Sequence, residues 1–261
     1  MDLGLKGKVA LVLGAGGGLG SAIAASLAAE GAKLALADVS ADSLARTEAA
    51  VKAAGAQAIS LVWDLADLAA VETSVARIEA ELGPVAILVN NTGGPPPTPV
   101  SGQDPAVWAK HFNAMVLSVI ALTDRVLPGM KQAGWGRIIT STSSGVVAPI
   151  PNLGLSNALR STLLGWSKTL AREVGGHGIT ANIILPGRVA TDRIKFLDEQ
   201  KAKREGRPVE QVSAESTATI PAGRYGRPEE YGDTVAFLAS TRASYINGSV
   251  IRVDGGLIAS I

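Results

Sequence analysis

The chain has no cysteine, so disulfides, thiolate metal sites and cysteine nucleophiles are excluded together. Its two histidines, His111 and His177, lie far apart in the sequence, and no histidine-based metal site is expected. Neither charge is in surplus: 24 lysines and arginines face 23 aspartates and glutamates, a net of +1. Nucleic-acid binders usually carry a basic surplus or stripe, so no nucleic-acid partner is expected. No uncharged apolar run approaches the roughly 18 residues that span a bilayer. The N-terminus, with Asp2 early and an apolar strand running straight into glycines, is unlike a signal peptide. A soluble, cytoplasmic protein with no metal and no membrane partner is the expectation. Tyrosine is scarce as well: Tyr225, Tyr231 and Tyr245 are the only ones, all beyond residue 220.

What is present is a long apolar alternation. At 261 residues and 47% hydrophobic side chains the chain can bury one substantial core, and no linker or low-complexity run divides it, which predicts one domain over 1–261. Val9–Leu13, Lys33–Ala37, Ala58–Trp63, Ala86–Asn90, Gly136–Ser141, Thr180–Leu185 and Ser249–Val253 read as strands, nearly continuous in hydrophobicity as parallel strands covered on both faces are. Between them Gly20–Glu30, Ser40–Ala54, Leu68–Leu82, Pro105–Ala133, Leu153–Glu173 and Pro228–Ala239 read as helices. The alternation predicts an α/β, doubly wound Rossmann fold with a seven-stranded parallel sheet. Asp42, Asp67, Asp104 and Ser240 stand at or near element ends, where short polar side chains cap backbone amides. The polar stretch 192–222 breaks the rhythm and reads either as a substrate lid, partly helical, or as a solvated surface loop.

The run Gly14-Ala-Gly-Gly-Gly-Leu-Gly20 follows the first strand and opens a helix. Glycines there let the backbone approach a pyrophosphate, whose charge is favoured at a helix N-terminus, and the candidates are Gly14, Gly18, Leu19 and Gly20. Asp38 ends the second strand, 18 residues after Gly20. A carboxylate there accepts from adenosine ribose hydroxyls and repels a 2′-phosphate. Neither the glycine loop nor the residues just after Asp38 offer a basic partner for that phosphate, so NAD is expected in preference to NADP. The alternative for Asp38 is a simple helix-capping role.

In order and spacing, from about Lys8 to Gly256, the chain resembles the short-chain dehydrogenase/reductase family, its 3-oxoacyl-carrier-protein reductase-like members especially. Gly14, Gly18 and Gly20 fit that family's glycine pattern, with Leu13 where a threonine is common. The resemblance implies that Asp64 and Leu65 meet the adenine. It implies that Asn90-Asn91-Thr92-Gly93 is the turn stabilising the central sheet, and that Trp108 and Asn113 mark the segment of the structural-catalytic asparagine. It implies further that Pro186, Gly187, Val189 and Thr191 close over the nicotinamide carboxamide. The segments Gly223-Arg-Tyr-Gly-Arg-Pro-Glu-Glu230 and Asn247-Gly248 to Val253-Asp-Gly-Gly256 match the C-terminal signature. Relatives are mostly tetramers, so a homotetramer or homodimer is implied, with a small-molecule substrate.

One departure is decisive. Ser143 aligns with the family's serine, but the tyrosine expected thirteen residues on is Ser156, and the lysine four further on is Arg160. An aliphatic hydroxyl is a far weaker acid than a phenol of pKa near 10, and an arginine is no proton relay. Arg160 retains a positive charge for ribose binding, for a developing alkoxide or for a substrate carboxylate. Ser143 and Ser156 could hold a water; His111 and Tyr225 are weaker candidates for the acid. Arg188 and Arg193 either recruit an anionic substrate or are surface charge. Three functions stay open: an NAD(H)-dependent alcohol dehydrogenase or carbonyl reductase with catalytic Asn113, Ser143, Ser156 and Arg160; an NAD(H)-binding protein without turnover; and a non-redox lyase or isomerase on the same scaffold.

Overall fold

A computed structural model describes residues 1–261. Seven strands, β1 (Val9–Leu13), β2 (Lys33–Asp38), β3 (Ala58–Val62), β4 (Val85–Asn90), β5 (Gly136–Ser141), β6 (Ile179–Pro186) and β7 (Val250–Val253), form one parallel sheet in the order β3-β2-β1-β4-β5-β6-β7. Strand β1 is buried along its whole length, which is why it reads as an unbroken apolar run, and β5 is buried throughout as well, its Arg137 included.

Helices cover the two faces: α1 (Gly18–Ala29), α2 (Ala41–Ala53), α3 (Ala70–Leu82), α4 (Pro105–Phe112), α5 (Ser118–Ala133), α6 (Gly154–Val174), α7 (Asp192–Glu205), α8 (Val209–Ala218) and α9 (Pro228–Ala239). On one face Ile23 and Leu27 of α1 and Tyr231 and Val235 of α9 pack with Val12, Leu36 and Ile184 of the sheet. On the other, Val75 and Ile78 of α3, Leu122 and Val126 of α5 and Leu170 of α6 pack with Leu11, Leu88 and Ile138. Helices α1 and α9 approach so closely that a Cβ on Gly232 would stand 2.6 Å from the Ala22 carbonyl. Ser40 caps α2, Asp104 caps α4 and Thr191 caps α7, each accepting a backbone N–H; Asp42 lies one residue inside α2 rather than at its cap.

The span predicted as one helix, Pro105–Ala133, is interrupted at Asn113–Leu117 by a widened π turn, with Ser118 N–H donating to Asn113 O. The composite is 29 residues and apolar enough, by length and composition, to cross a membrane. In this fold Met115, Val119, Leu122, Val126 and Met130 face the interior, and Arg125 on the outer side is tied to Glu72 and Glu79 of α3. The stretch 192–222 carries α7 and α8.

Strand order reverses between β1 and β4, so the loops leaving those strands diverge and open a crevice at their carboxyl ends. Behind it lies a polar contact in the core: Ser141 Oγ and Tyr231 OH are 2.8 Å apart, and the phenol also reaches Ile184 O at 3.4 Å. Burial pushes the Tyr231 phenol above its ordinary range, against the opposing pull of the Ser141 bond and the Arg160 charge. Replacing Tyr231 by Phe leaves Ser141 unpartnered and is expected to lower stability by about 1–3 kcal/mol. Adding Ser141→Ala should recover part of that loss, read as the coupling in a urea-denaturation double-mutant cycle. Additive losses would contradict the bond.

Candidate active site

The glycine loop is shaped by close approach. A Cβ on Gly20 would fall 1.9 Å from the Gly14 carbonyl, and Gly14, at φ +60, would carry one 2.6 Å from Asn91 O. The N–H groups of Gly17, Gly18 and Leu19 have no backbone acceptor. Helix α1 has no acidic residue in its first turn and no side-chain cap. Its positive end therefore meets the crevice with free donors, which suits a phosphate. Asp38 closes the other side of the loop: Oδ2 accepts from Gly16 N–H and Oδ1 from Ser40 N–H, both at 3.0 Å. One basic group comes near that corner. Arg46 on α2 donates to Ser43 Oγ at 3.0 Å, and Ser43 Cβ lies 2.8 Å from where a Gly16 Cβ would stand. Reading only the residues just after Asp38 misses Arg46, because one turn of α2 brings it back onto Ser43.

Asp64, just past β3, is exposed, with Oδ1 accepting from Ala66 N–H at 2.9 Å, and Leu65 is half-buried beside it. At the ends of the central strands Asn91 Nδ2 donates to Leu13 O at 3.2 Å, locking β4 to β1. Asn90 Nδ2 meets Thr140 and Thr123 within the core, and a Cβ on Gly93 would meet nothing within 4 Å. After β6, Gly187 N–H donates to Val253 O, Val189 is buried, Ala190 N–H donates to Gly226 O, and Gly226 N–H donates to Arg188 O. This brings the Thr191 methyl to 3.1 Å from a Cβ position on Gly18. The loop after β6 and the glycine loop thus touch, and the two sets of predicted cofactor residues share one crevice.

The reaction end differs from expectation. Ser143 Oγ accepts from Gly145 N–H at 3.1 Å. Ser156 on α6 is 7% exposed, and its hydroxyl enters none of the site's hydrogen bonds. Arg160, one turn on and 8% exposed, donates from Nη2 to Thr92 O and Gly93 O at 3.0 Å each and from Nη1 to Ser141 O at 3.3 Å. It clamps the carboxyl ends of β4 and β5 together. Burial pushes its pKa down to about 10, the negative form of Tyr231 pulling it up and the Arg193 charge adding to the fall; it remains a cation at neutral pH.

Asn113 opens the π turn that packs on α6. It is exposed, its side chain makes no hydrogen bond, and Met115 and Val116 of the same π turn face Leu159 and Leu163 of α6. His111 is half-buried on α4. Tyr225 is half-buried, and its hydroxyl donates to Asp198 Oδ2 at 2.7 Å.

Asp198, 2% exposed on α7, is a buried carboxylate the sequence did not single out. It also pairs with Arg188 and accepts from Ser213 of α8 at 3.3 Å. A single carboxylate therefore joins α7, α8, the loop after β6 and the segment before α9.

A glycine loop at a helix N-terminus, a carboxylate at the end of β2 and a crevice at the strand-order reversal define a dinucleotide-binding protein. The family model described as Enoyl-(Acyl carrier protein) reductase matches residues 14–258. The chain is 37% identical over 267 residues to the 3-oxoacyl-[acyl-carrier-protein] reductase FabG of Escherichia coli strain K12, covering 98% of this chain and 99% of that protein. Among solved structures it is similar to L-sorbose reductase from Gluconobacter frateurii complexed with NADPH and L-sorbose, with TM-score 0.94, 30% identity and 100% of both chains covered. It is similar also to NAD+-bound xylitol dehydrogenase, with TM-score 0.90, 28% identity, 97% of this chain and 99% of that one covered. The chain belongs to the short-chain dehydrogenase/reductase family, with 3-oxoacyl-[acyl-carrier-protein] reductase-like relatives, and it is an oxidoreductase of the kind that uses a pyridine nucleotide.

Because Asp198 holds four segments, Asp198→Asn should loosen α7 and α8 from the body. Breaking a buried pair costs about 3 kcal/mol or more, and local opening should absorb most of it. Trypsin should cut between Lys195 and Arg207 at least roughly tenfold faster than in the parent protein. Unchanged cleavage would show that other contacts hold the segment.

Proposed function

We propose that the protein is an NAD(H)-dependent alcohol dehydrogenase or carbonyl reductase whose proton transfer does not run through a tyrosine. The observation that carries this reading is the retention of the whole cofactor cradle beside an altered reaction end. Three free N–H groups at α1, the Asp38 carboxylate and Thr191 opposite Gly18 form that cradle. The bound nicotinamide supplies or accepts hydride; the rest falls to this chain. Asp38 is offered to the ribose hydroxyls and disfavours a 2′-phosphate, which favours NAD. Arg46 is the one nearby cation that argues the other way. Asp64 and Leu65 would line the adenine, and Asn91, Gly93, Pro186, Gly187 and Val189 the nicotinamide ribose and amide. The 192–222 segment acts as lid, latched through Asp198.

At the reacting oxygen, the Arg160 cation stabilises negative charge as it develops. The proton comes from a water held by the Ser143 and Ser156 hydroxyls. Positioned acid–base groups contribute typically 10²–10⁴-fold, so this site is slower on generic ketones than one with a phenol. A second reading, cofactor binding without turnover, is favoured by Arg160 already spending donors on three backbone carbonyls. A lyase or isomerase reaction would use the same cation for an enolate. The outer faces of Pro105–Ala133 and α6 suit a homodimer or homotetramer.

Titration with NADH and NADPH, followed by energy transfer from tryptophan to the bound nicotinamide, tests the reading. NADH should bind in the micromolar range and well ahead of NADPH, and Asp38→Ala should narrow that gap. Preference for NADPH would transfer the specificity to Arg46; no binding of either would remove the oxidoreductase reading. Ser156→Tyr together with Arg160→Lys should raise turnover of generic ketones by about 10²-fold if the phenol is the only missing part. Loss of activity would instead mark a specialised site.

A further inference from the structure

Arg160 and Arg193 are two cations that meet at one loop without an acidic partner. The position a Cβ on Gly94 would take lies 3.4 Å from Arg193 Nη2 and 3.7 Å from Arg160 Nη2. Arg193, the second residue of α7, also donates to Pro95 O at 2.9 Å. The other acids nearby are committed elsewhere, Asp198 to Arg188, Glu205 and Glu215 to Arg207, and Glu230 to Arg224 and Arg227, while Asp192, beside Arg193 at the start of α7, makes no ion pair with it. Partial burial lowers the pKa of Arg193, which stays open to solvent, and the Arg193 charge adds to the fall at the buried Arg160.

A structural role accounts for only one of the two. Arg137 is a buried arginine of that kind: it donates to the carbonyls of Ser240, Gly136 and Gly178 and stacks on Trp135, with no acid at hand. Arg160 resembles it in clamping carbonyls. Arg193 comes from another element, nearly a hundred residues along the chain from that loop; it lies over the Phe196 ring and brings a second positive charge that no ion pair neutralises. Two like charges held together in a partly desolvated place are unfavourable unless an anion joins them. Gly93 and Gly94 have no side chains to fill the space, and Ser156, one helical turn before Arg160, offers a free hydroxyl.

We propose that Arg160 and Arg193 bind the carboxylate of the substrate, which is therefore a short oxo acid or hydroxy acid whose reacting carbon lies toward Ser143 and Ser156. Planar guanidinium groups suit a carboxylate's two oxygens, each bond being charge-assisted. The substrate class rests on the nicotinamide-dependent reading of the site. A cofactor phosphate offers the same chemistry to Arg193, and the experiment separates the two.

The NADH-saturated protein and the cofactor-free protein are titrated calorimetrically with malonate and succinate and with the neutral malonamide and succinamide, at constant ionic strength. At least one dicarboxylate should bind and its diamide should not. Arg193→Gln should weaken that binding roughly tenfold or more, the usual loss for a charge-assisted bond, and Arg193→Lys should restore part of it. NADH affinity should stay within about twofold in Arg193→Gln, as expected of a residue that binds only substrate. Arg160→Lys, checked for folding by circular dichroism, should weaken the same ligand. Carboxylate binding no better than amide binding, or equal in Arg193→Gln, overturns the proposal. Weakened NADH binding with unaltered carboxylate binding also overturns it, assigning Arg193 to a cofactor phosphate. Failure of NADH to bind removes the oxidoreductase reading instead, and the cofactor-free titrations still decide for or against the arginine pair.

Discussion

Parallel strands that stop at a crevice leave backbone carbonyls with no further strand to accept from, and buried carbonyls must find donors. In this protein side chains from other elements supply them. Asn91 takes Leu13 O at the end of β1, and Arg160 takes Thr92 O, Gly93 O and Ser141 O at the ends of β4 and β5. The crevice floor is held open and in register by these bonds. Everything that lines it, from the glycine loop to Thr191, is positioned relative to them.

That dependence changes the meaning of the substitution at position 160. A lysine has a single point of charge, whereas the planar guanidinium has donors enough to bridge two strand ends and still carry charge toward the crevice. Arg160 therefore joins structure and electrostatics in one group. The only buried phenol near it, Tyr231, is tied to Ser141 from the opposite side of the sheet, and its acidity is suppressed by burial. The site thus has positive charge and hydroxyls but no ordinary acid, which is the chemical character from which its function must be argued.

Much of this was legible in the chain. β1, β5 and α9 have the bounds their patterns predicted, because strongly apolar strands and a proline-started helix carry their own punctuation. The glycine loop, Asp38 and the absence of a tyrosine at 156 could be read directly. The π turn that Asn113 opens has no signal in the apolar periodicity of Pro105–Ala133, which read as one continuous helix. Asp198 gave no signal, since an aspartate in a charged helix looks solvated until α8 and Tyr225 close on it. Arg46 was invisible to a search of neighbouring residues because helical return, not sequence adjacency, brings it near Asp38.

The sequence by itself determined the parallel sheet, the family, the phosphate-facing glycines and the missing phenol, since each is set by local periodicity, by backbone freedom or by the presence of one residue type. Only the tertiary structure decided which side chains converge. The carbonyl clamp of Arg160, its approach to Arg193 at Gly94 and the four-way latch at Asp198 join residues tens of positions apart. Their energies depend on burial and on mutual distance, and neither quantity exists before the chain has folded.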